Sequence, residues 1–263
     1  MLDLEFQSQK TAKESLVSAK DSDRHSILIA GMSGCGKTYL SKYYAELLGI
    51  EDFALISSTV DSIRSTIDES LESRNRVVIC IENLDTGVKG ASYTILKFLE
   101  EPKSNIYIVI TVQNINNVPD TIISRSFVID VHSPLQEDLL KYANYKYADK
   151  IKFCSKSSVW DCAKSFTDID TICNMTQDNL KYFNELKTLF NFRDNVSIMS
   201  WRMQHYLDNS ETPLDLVMQY VIYYAPTNAI RLRAVQCAND LRRGTIAKHI
   251  VIGKFLMNSK YAE

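Results

Sequence analysis

One stretch near the start of the sequence, ILIAGMSGCGKTYLSKYYAELL, limits the possible folds of this chain more than any other. Within it, residues 31–38 match G-x-x-x-x-G-K-[ST], in which backbone N–H groups wrap phosphates, the lysine reaches the outer phosphates and the hydroxyl binds Mg²⁺. Three of the chain's 8 glycines lie in this loop, where side chains would keep the backbone away from a phosphate. The loop therefore predicts a nucleotide site, whose binding residues are Gly31, Ser33, Gly34, Cys35, Gly36, Lys37 and Thr38.

The sequence around the loop has the order that such a site requires. Residues 26–30 form a short apolar run that predicts a buried strand, and residues 38–48 have apolar side chains at helical spacing. Four more apolar runs follow, separated by helical stretches: residues 53–56, 77–81, 106–111 and 127–131. Runs that are apolar on both faces predict a five-stranded parallel sheet covered by helices, an α/β fold with ligands at the carboxyl edge of the strands.

Composition narrows the classes of partner. The net charge of −2 provides no general basic field, so contact with nucleic acid requires a local patch or an assembly. The six cysteines lack paired, metal-like spacing, which argues against zinc and against a disulfide framework. The first residues are acidic rather than basic, and no apolar run approaches the roughly 20 residues that span a bilayer. We therefore expect a cytoplasmic protein with no membrane partner.

Two further motifs carry a resemblance to a known family. The run ILKFLEEP at residues 95–102, followed by TIISRS at residues 121–126, resembles the LLKxLEEP helix and the SRC motif of AAA+ clamp-loader ATPases. These are the bacterial DNA polymerase III tau/gamma and delta-prime subunits and the replication factor C small subunits. Residues 6–19 resemble the box that in this family closes over the adenine, so ATP and Mg²⁺ are the implied ligands. A zinc module is missing, which makes the chain similar to the compact replication factor C or viral version.

The resemblance implies roles for three residues in this part of the chain, all outside the loop. In the family the SRC arginine reaches the ATP site of a neighbouring subunit as an arginine finger, and Arg125 takes that position, with Ser126 replacing the cysteine. Gln113 takes the position of a polar residue that touches the γ-phosphate or the attacking water and can still donate a hydrogen bond. Thr167 stands where relatives carry an arginine that contacts the nucleotide, which removes a positive charge beside the phosphates.

The motif that would position the attacking water departs from the family's Asp-Glu pair. An ungapped alignment puts Glu82 at the Mg²⁺ position and Asn83 at the glutamate position, and an amide cannot accept the water's proton. A shift by one residue puts Ile81 at the Mg²⁺ position and Glu82 at the base position, and loses the metal ligand. Asp85 is near enough in sequence to compensate in part. Either alignment predicts a subunit that binds ATP but hydrolyses it weakly; the alternatives are a fully active clamp-loader ATPase and a nucleotide-gated AAA+ scaffold outside replication.

After residue 133 the sequence is helical throughout. The resemblance implies three domains: a nucleotide-binding AAA+ domain at 1–133, a helical lid at 134–191 and an all-helical collar for oligomerisation at 192–263. Predicted collar helices cover 195–207, 212–225 and a C-terminal pair divided at Gly244. The implied partners are other clamp-loader subunits in a ring, expected to be a pentamer, a sliding clamp and primer–template DNA.

Overall fold

The computed structural model describes residues 5–73, 75–87, 89–190, 214–225, 227–243 and 248–259. The chain divides into two compact units, Met1–Leu139 and Leu140–Glu263. The three domains expected from the sequence remain a prediction, and two features of the expected collar, the helix at 195–207 and the division at Gly244, lie outside the described residues. Among the described helices, none is both long and apolar enough to cross a membrane.

The first unit contains the predicted five-stranded parallel sheet. Its strands are β1 (Ser26–Gly31), β2 (Asp52–Ser57), β3 (Val77–Glu82), β4 (Ile106–Val112) and β5 (Phe127–Val131). They pair in the order β2-β3-β4-β1-β5, and all four pairings are parallel. Because β4 lies between β1 and β3, the carboxyl ends of these three strands are adjacent at one edge of the sheet.

Helices cover both faces of this sheet, which explains why its strands are almost continuously apolar. Side chains alternate between faces along a strand. Ile27 and Ile29 therefore pack in one core with α1 (Lys10–Asp21) and α2 (Lys37–Leu47), while Leu28 packs in the other with α3 (Val60–Glu72) and α4 (Lys89–Glu100). The edge strand β2 differs from the expectation of full cover, since Leu55 is 47% exposed. The helices are α1 (Lys10–Asp21), α2 (Lys37–Leu47), α3 (Val60–Glu72), α4 (Lys89–Glu100) and α5 (Asp120–Ile123), with short 3-10 helices at Gln7–Gln9, Leu84–Thr86 and Ile115–Asn117.

The chain passes from the first unit to the second within α6 (Gln136–Lys146). The described part of the second unit is helical, as predicted, and its core contains the fully buried side chain of Tyr220. The Tyr220 hydroxyl donates to the carbonyl oxygen of Phe183 at 2.6 Å, which satisfies its polar end. The remaining helices are α7 (Ile151–Cys154), α8 (Phe166–Asn174), α9 (Gln177–Phe190), α10 (Leu214–Tyr224), α11 (Asn228–Arg243) and α12 (Lys248–Ser259), with a 3-10 helix at Ser158–Cys162.

Candidate nucleotide site and exposed arginine

The phosphate-binding loop, residues 31–38, connects the carboxyl end of β1 to the first turn of α2. Gly34 and Gly36 have φ of +71° and +97°, a left-handed conformation that residues with a side chain rarely adopt. At Gly31 a Cβ atom would lie 2.6 Å from the carbonyl oxygen of Val131. The backbone and packing therefore account for these three glycines and turn the loop over the N-terminus of α2, where N–H groups and the helix dipole favour an anion.

Lys37 is the first residue of α2 and is only 8% exposed. Its ammonium group donates hydrogen bonds to the carbonyl oxygens of Gly31 and Met32, at 2.8 and 2.9 Å. Burial lowers the pKa of Lys37, while the nearby Cys35, Asp85 and Glu82 oppose that shift. The positive charge therefore lies within the curve of the loop, where it can pair with phosphate oxygens.

Thr38 and Glu82 bring the loop and the end of β3 together. The Thr38 hydroxyl donates a hydrogen bond of 2.8 Å to Oε1 of Glu82, which is the last residue of β3. Mg²⁺ in nucleotide sites is held by one or two carboxylates together with phosphate oxygens and water. A hydroxyl and a carboxylate in contact beside a phosphate-binding loop fit that ion.

Asn83 follows Glu82 in a left-handed conformation, with φ of +50° and ψ of +51°. Its backbone N–H donates to the hydroxyl of Thr111 on β4 at 3.1 Å, which joins the ends of β3 and β4. Asparagine tolerates this conformation better than most residues with a side chain. The carboxamide has no group that can take a proton from water.

Asp85 is committed to the backbone of the neighbouring loop. Its Oδ2 accepts hydrogen bonds from the N–H groups of Gln113 and Asn114, at 3.1 and 2.9 Å. The other oxygen, Oδ1, is shielded from solvent and accepts no hydrogen bond within the described residues. Asp85 thus stabilises the turn that contains Gln113. Gln113 is exposed at the same edge of the sheet.

Arg125 lies at the opposite edge of the sheet from the phosphate-binding loop. It precedes β5, whose first residue, Phe127, pairs with Ile27 near the start of β1, whereas the loop follows the end of β1. Strands of five to six residues span roughly 17–20 Å, so this distance separates the two edges. Arg125 therefore cannot serve the phosphate-binding loop of its own chain.

Two contacts orient the Arg125 side chain, which is 37% exposed. Nη2 forms an ion pair of 3.0 Å with Oε1 of Glu100, at the end of α4, and Nη1 donates to the carbonyl oxygen of Thr121 at 2.9 Å. A cavity of about 180 Å³ opens beside it, with Arg24 and Lys103 also in its wall. Arg125 therefore lies at a partly exposed edge of the first unit.

Thr167 and Ser126 lie in different parts of the structure. Thr167 is exposed in the first turn of α8, in the second unit, so its proposed proximity to a nucleotide remains a prediction. Ser126, at the family's cysteine position, forms a hydrogen bond of 2.9 Å between its hydroxyl and that of Ser26, which links the starts of β5 and β1.

Three residues that hold these groups in place were not predicted from the sequence. Glu100 pairs with Arg125, Gln9 contacts the phosphate-binding loop, and Asp138 contacts the segment that contains Gln9. Glu100 belongs to the recognised LEEP run, so that motif was the available signal for it. Gln9 likewise lies within the recognised N-terminal segment, whereas Asp138 had no signal beyond its position in the first turn of a predicted helix.

A family model and a curated protein match parts of the sequence. Residues 51–134 match the model described as DNA polymerase III, delta subunit, a range that contains Glu82, Asn83 and Arg125 but not the phosphate-binding loop. The sliding-clamp-loader large subunit of Escherichia phage RB69 is 24% identical over 166 residues, which are 60% of this chain and 50% of that protein. The chain thus spans about half the length of this curated relative.

Solved structures match the fold. The DNA polymerase III gamma subunit-related protein of Thermotoga maritima has a TM-score of 0.57 at 14% identity, over 95% of this chain and 98% of that one. A RuvB mutant of Thermotoga maritima has a TM-score of 0.53 at 15% identity, over 84% and 78% of the two chains. The fold is the AAA+ fold, and the predicted resemblance to clamp-loader AAA+ subunits is confirmed.

Proposed function

We propose that this chain is a subunit of a clamp loader in a DNA replication complex. It binds ATP with Mg²⁺, assembles with other clamp-loader subunits into a ring, expected to be a pentamer, and helps to open a sliding clamp and load it on primer–template DNA. The similarity to the phage clamp-loader large subunit and to the DNA polymerase III delta-subunit model supports this assignment. Under the proposal, residues 134–191 act as the lid and residues 192–263 as the collar.

The phosphate-binding loop would hold the triphosphate. Its backbone N–H groups, from Gly31 to Gly36, and the ammonium of Lys37 bind phosphate oxygens, while Thr38 and Glu82 hold the metal ion. Mg²⁺, when bound, neutralises negative charge on the phosphate oxygens. The contact between Thr38 and Glu82 supports the alignment in which Glu82 takes the metal position.

Hydrolysis at this chain's own site would be weak. That alignment leaves Asn83 at the position of the base, and its carboxamide can orient a water but cannot accept a proton from it. Asp85 is a poor substitute because its Oδ2 is occupied by the amides of Gln113 and Asn114 and its Oδ1 is shielded from solvent. Thr167 in place of an arginine would further reduce the positive charge around the phosphates.

One observation carries the assignment to a ring: Arg125 lies at the edge of the sheet opposite its own phosphate-binding loop and is partly exposed there. An arginine finger stabilises charge on a transferred phosphoryl group, so it must reach a nucleotide. From this edge Arg125 can reach only a nucleotide held by a neighbouring subunit. The chain would thus act as an activator of its neighbour even if its own site turns over slowly.

Clamp loading from purified components tests the proposal. The full chain, its candidate partner subunits, a fluorescently labelled clamp and primed DNA are mixed, and ATP-dependent clamp opening and deposition are followed by energy transfer between dyes. We expect Lys37→Ala to abolish ATP binding by this chain and to impair loading, because the loop loses its charged phosphate ligand. Lys42→Ala, which removes an exposed lysine from the same helix, is the matched control.

The result also separates the alternatives. Loading that fails when the chain is omitted supports the clamp-loader assignment. ATP binding without association with any clamp, partner subunit or primed DNA would contradict it and favour the scaffold outside replication.

A further inference from the structure

A short N-terminal segment, residues 6–9, braces the phosphate-binding loop from outside the sheet; we call it the strap. The side chain of Gln9 is fully buried, and its Nε2 donates a hydrogen bond of 2.9 Å to the carbonyl oxygen of Cys35 in the loop. Phe6, also buried, packs edge-on against Tyr39 in the first turn of α2, with ring centroids 6.2 Å apart. The strap therefore contacts both the loop and the helix that follows it.

The strap is held by one buried carboxylate, that of Asp138, which lies near the end of the first unit in sequence. Oδ1 of Asp138 accepts from the backbone N–H of Gln7, and Oδ2 accepts from the backbone N–H of Ser8, each at 2.9 Å. These N–H groups belong to the first turn of a 3-10 helix and have no partner within that helix. Asp138 is fully buried, and these bonds satisfy both of its oxygens.

The charge state of Asp138 agrees with this role. Burial alone would raise the pKa of Asp138, but hydrogen bonds from Ser8, Gln7 and the backbone of Leu135 outweigh burial and hold it below its usual value. The group is therefore a carboxylate at neutral pH and accepts hydrogen bonds with both oxygens. An asparagine here would offer one acceptor and turn an NH₂ group toward a backbone N–H.

We infer that Asp138 is a positioning residue for the phosphate-binding loop: it fixes the strap, and the strap fixes the loop through Gln9 and Cys35. The inference rests on the proposed binding of ATP by that loop. Asp138 lies in the first turn of α6, the helix in which the chain passes to the second unit. The relay thus connects the loop with the start of the helix that leads into the helical part of the chain.

ATP binding and the strength of this hydrogen-bond network should depend on each other, so either one can be measured to test the inference. If the bond network holds the loop ready for phosphate, weakening it lowers affinity for ATP, and ATP in turn strengthens the network. The amides of Gln7 and Ser8 should then exchange hydrogen more slowly when ATP is bound. A purely local role for Asp138 would leave the exchange of the loop and the affinity for ATP unchanged.

Hydrogen exchange of the full chain without nucleotide is the first test. We expect Asp138→Asn to speed exchange by about tenfold both in the strap and in residues 31–37, since a buried hydrogen bond is lost. The adjacent Glu137→Gln, which removes an exposed carboxylate from the same turn, should change neither segment. Faster exchange in the strap alone would overturn the inference.

ATP affinity is the second test. Asp138→Asn should weaken ATP binding about fivefold or more, and adding Gln9→Met should weaken it little further, because both act through one chain of contacts. Additive losses, or an unchanged affinity in Asp138→Asn, would overturn the inference. If Asp138→Asn does not fold, Gln9→Met is compared with the wild-type chain without nucleotide: faster exchange in residues 31–37 supports the relay, and unchanged exchange there refutes it. A wild-type chain that binds no ATP would refute the proposed function, while the exchange comparison without nucleotide would still decide the role of Asp138.

Discussion

The hydroxyl of Thr38 donates to the carboxylate of Glu82 at 2.8 Å, across 44 residues of sequence. This contact brings together the end of the phosphate-binding loop and the end of β3. Asn83 follows Glu82, and its backbone N–H bonds to Thr111 near the end of β4. Under the proposed function this order sets the chemistry of the site: the two proposed metal ligands come first, and an amide stands where a proton acceptor would assist hydrolysis.

Replacing Thr38 by valine should uncouple ATP binding from Mg²⁺. Valine keeps the shape of the side chain but removes the hydroxyl, so the ion loses a ligand. We expect affinity for ATP in the presence of Mg²⁺ to fall about tenfold or more, since a contact with a charged group contributes roughly 1.5–3 kcal/mol. Calorimetric titration with Mg²⁺ and with a chelator measures this. Thr38→Ser should retain the dependence, and a valine variant with wild-type Mg²⁺ dependence would contradict the metal assignment.

Asn83→Asp should speed hydrolysis at this chain's own site. Aspartate supplies a proton acceptor and, like asparagine, tolerates the left-handed backbone at this position, with φ of +50°. We expect single-turnover hydrolysis in the assembled complex to rise at least about tenfold, a modest share of the usual contribution of a general base. Asn83→Ala should leave the slow rate as it is. A large loss of rate in the alanine variant would instead indicate a proficient site in which Asn83 takes part.

Arg125→Ala should affect a neighbouring subunit and spare ATP binding by the chain that carries it. Loss of an arginine finger lowers hydrolysis by a factor of about 10³–10⁵ in related systems. We expect hydrolysis by a competent partner, measured in the mixed complex, to lose its stimulation by this chain. Arg64→Ala, at an exposed position on α3, is the control. Full stimulation by Arg125→Ala, or weakened ATP binding to the variant chain alone, would exclude an action in trans.

The ion pair between Arg125 and Glu100 should contribute little to folding. Both side chains are substantially exposed, at 37% and 53%, and exposed pairs of this kind are typically worth less than about 1 kcal/mol. Glu100→Gln should therefore leave the urea midpoint close to the wild-type value, and the small difference should shrink further in high salt. A large fall in the midpoint would mean that the carboxylate has a structural role beyond this pair.

Replacing glycine by alanine should lower the stability of the fold at one position and raise it at another. At Gly31 a Cβ would meet the carbonyl oxygen of Val131 at 2.6 Å and Sγ of Cys35 at 2.9 Å, so the backbone must move, at a cost of about 1–3 kcal/mol. At Gly253, within α12, a Cβ meets nothing within 4 Å, and alanine should stabilise the helix by about 0.5–1 kcal/mol. Urea unfolding of the full chain compares the two, and a Gly31→Ala midpoint equal to the wild type would contradict the packing argument.

Local sequence patterns were enough to predict the fold of the first unit. Strand and helix periods are set by neighbouring residues, and runs such as residues 77–81 are apolar on both faces because helices cover both faces of the sheet. The three glycines around Lys37 likewise predicted the loop, since their requirement for close backbone approach is a local one. The exposed face of β2 was the exception, because an edge position is a property of strand order and not of the strand itself.

The alignment of Glu82 remained open in the sequence and depended on tertiary structure. Either Glu82 or Ile81 could occupy the metal position by counting along the chain, and the contact between Glu82 and Thr38 favours the former. That contact requires β3 and β1 to end at one edge with β4 between them. No pattern within residues 77–83 contains that information.

What the sequence determined by itself was the set of local elements and the chemistry of the phosphate-binding loop, because glycine conformation and hydrophobic period act over a few residues. What only the tertiary structure decided was which side chains hold that loop and where the arginine is presented. Asp138 meets the backbone of Gln7 from 131 positions away, and Arg125 meets Glu100 at the edge remote from Lys37. Such contacts depend on the path of the whole chain, since a hydrogen bond or ion pair forms wherever folding brings matching groups within about 3 Å.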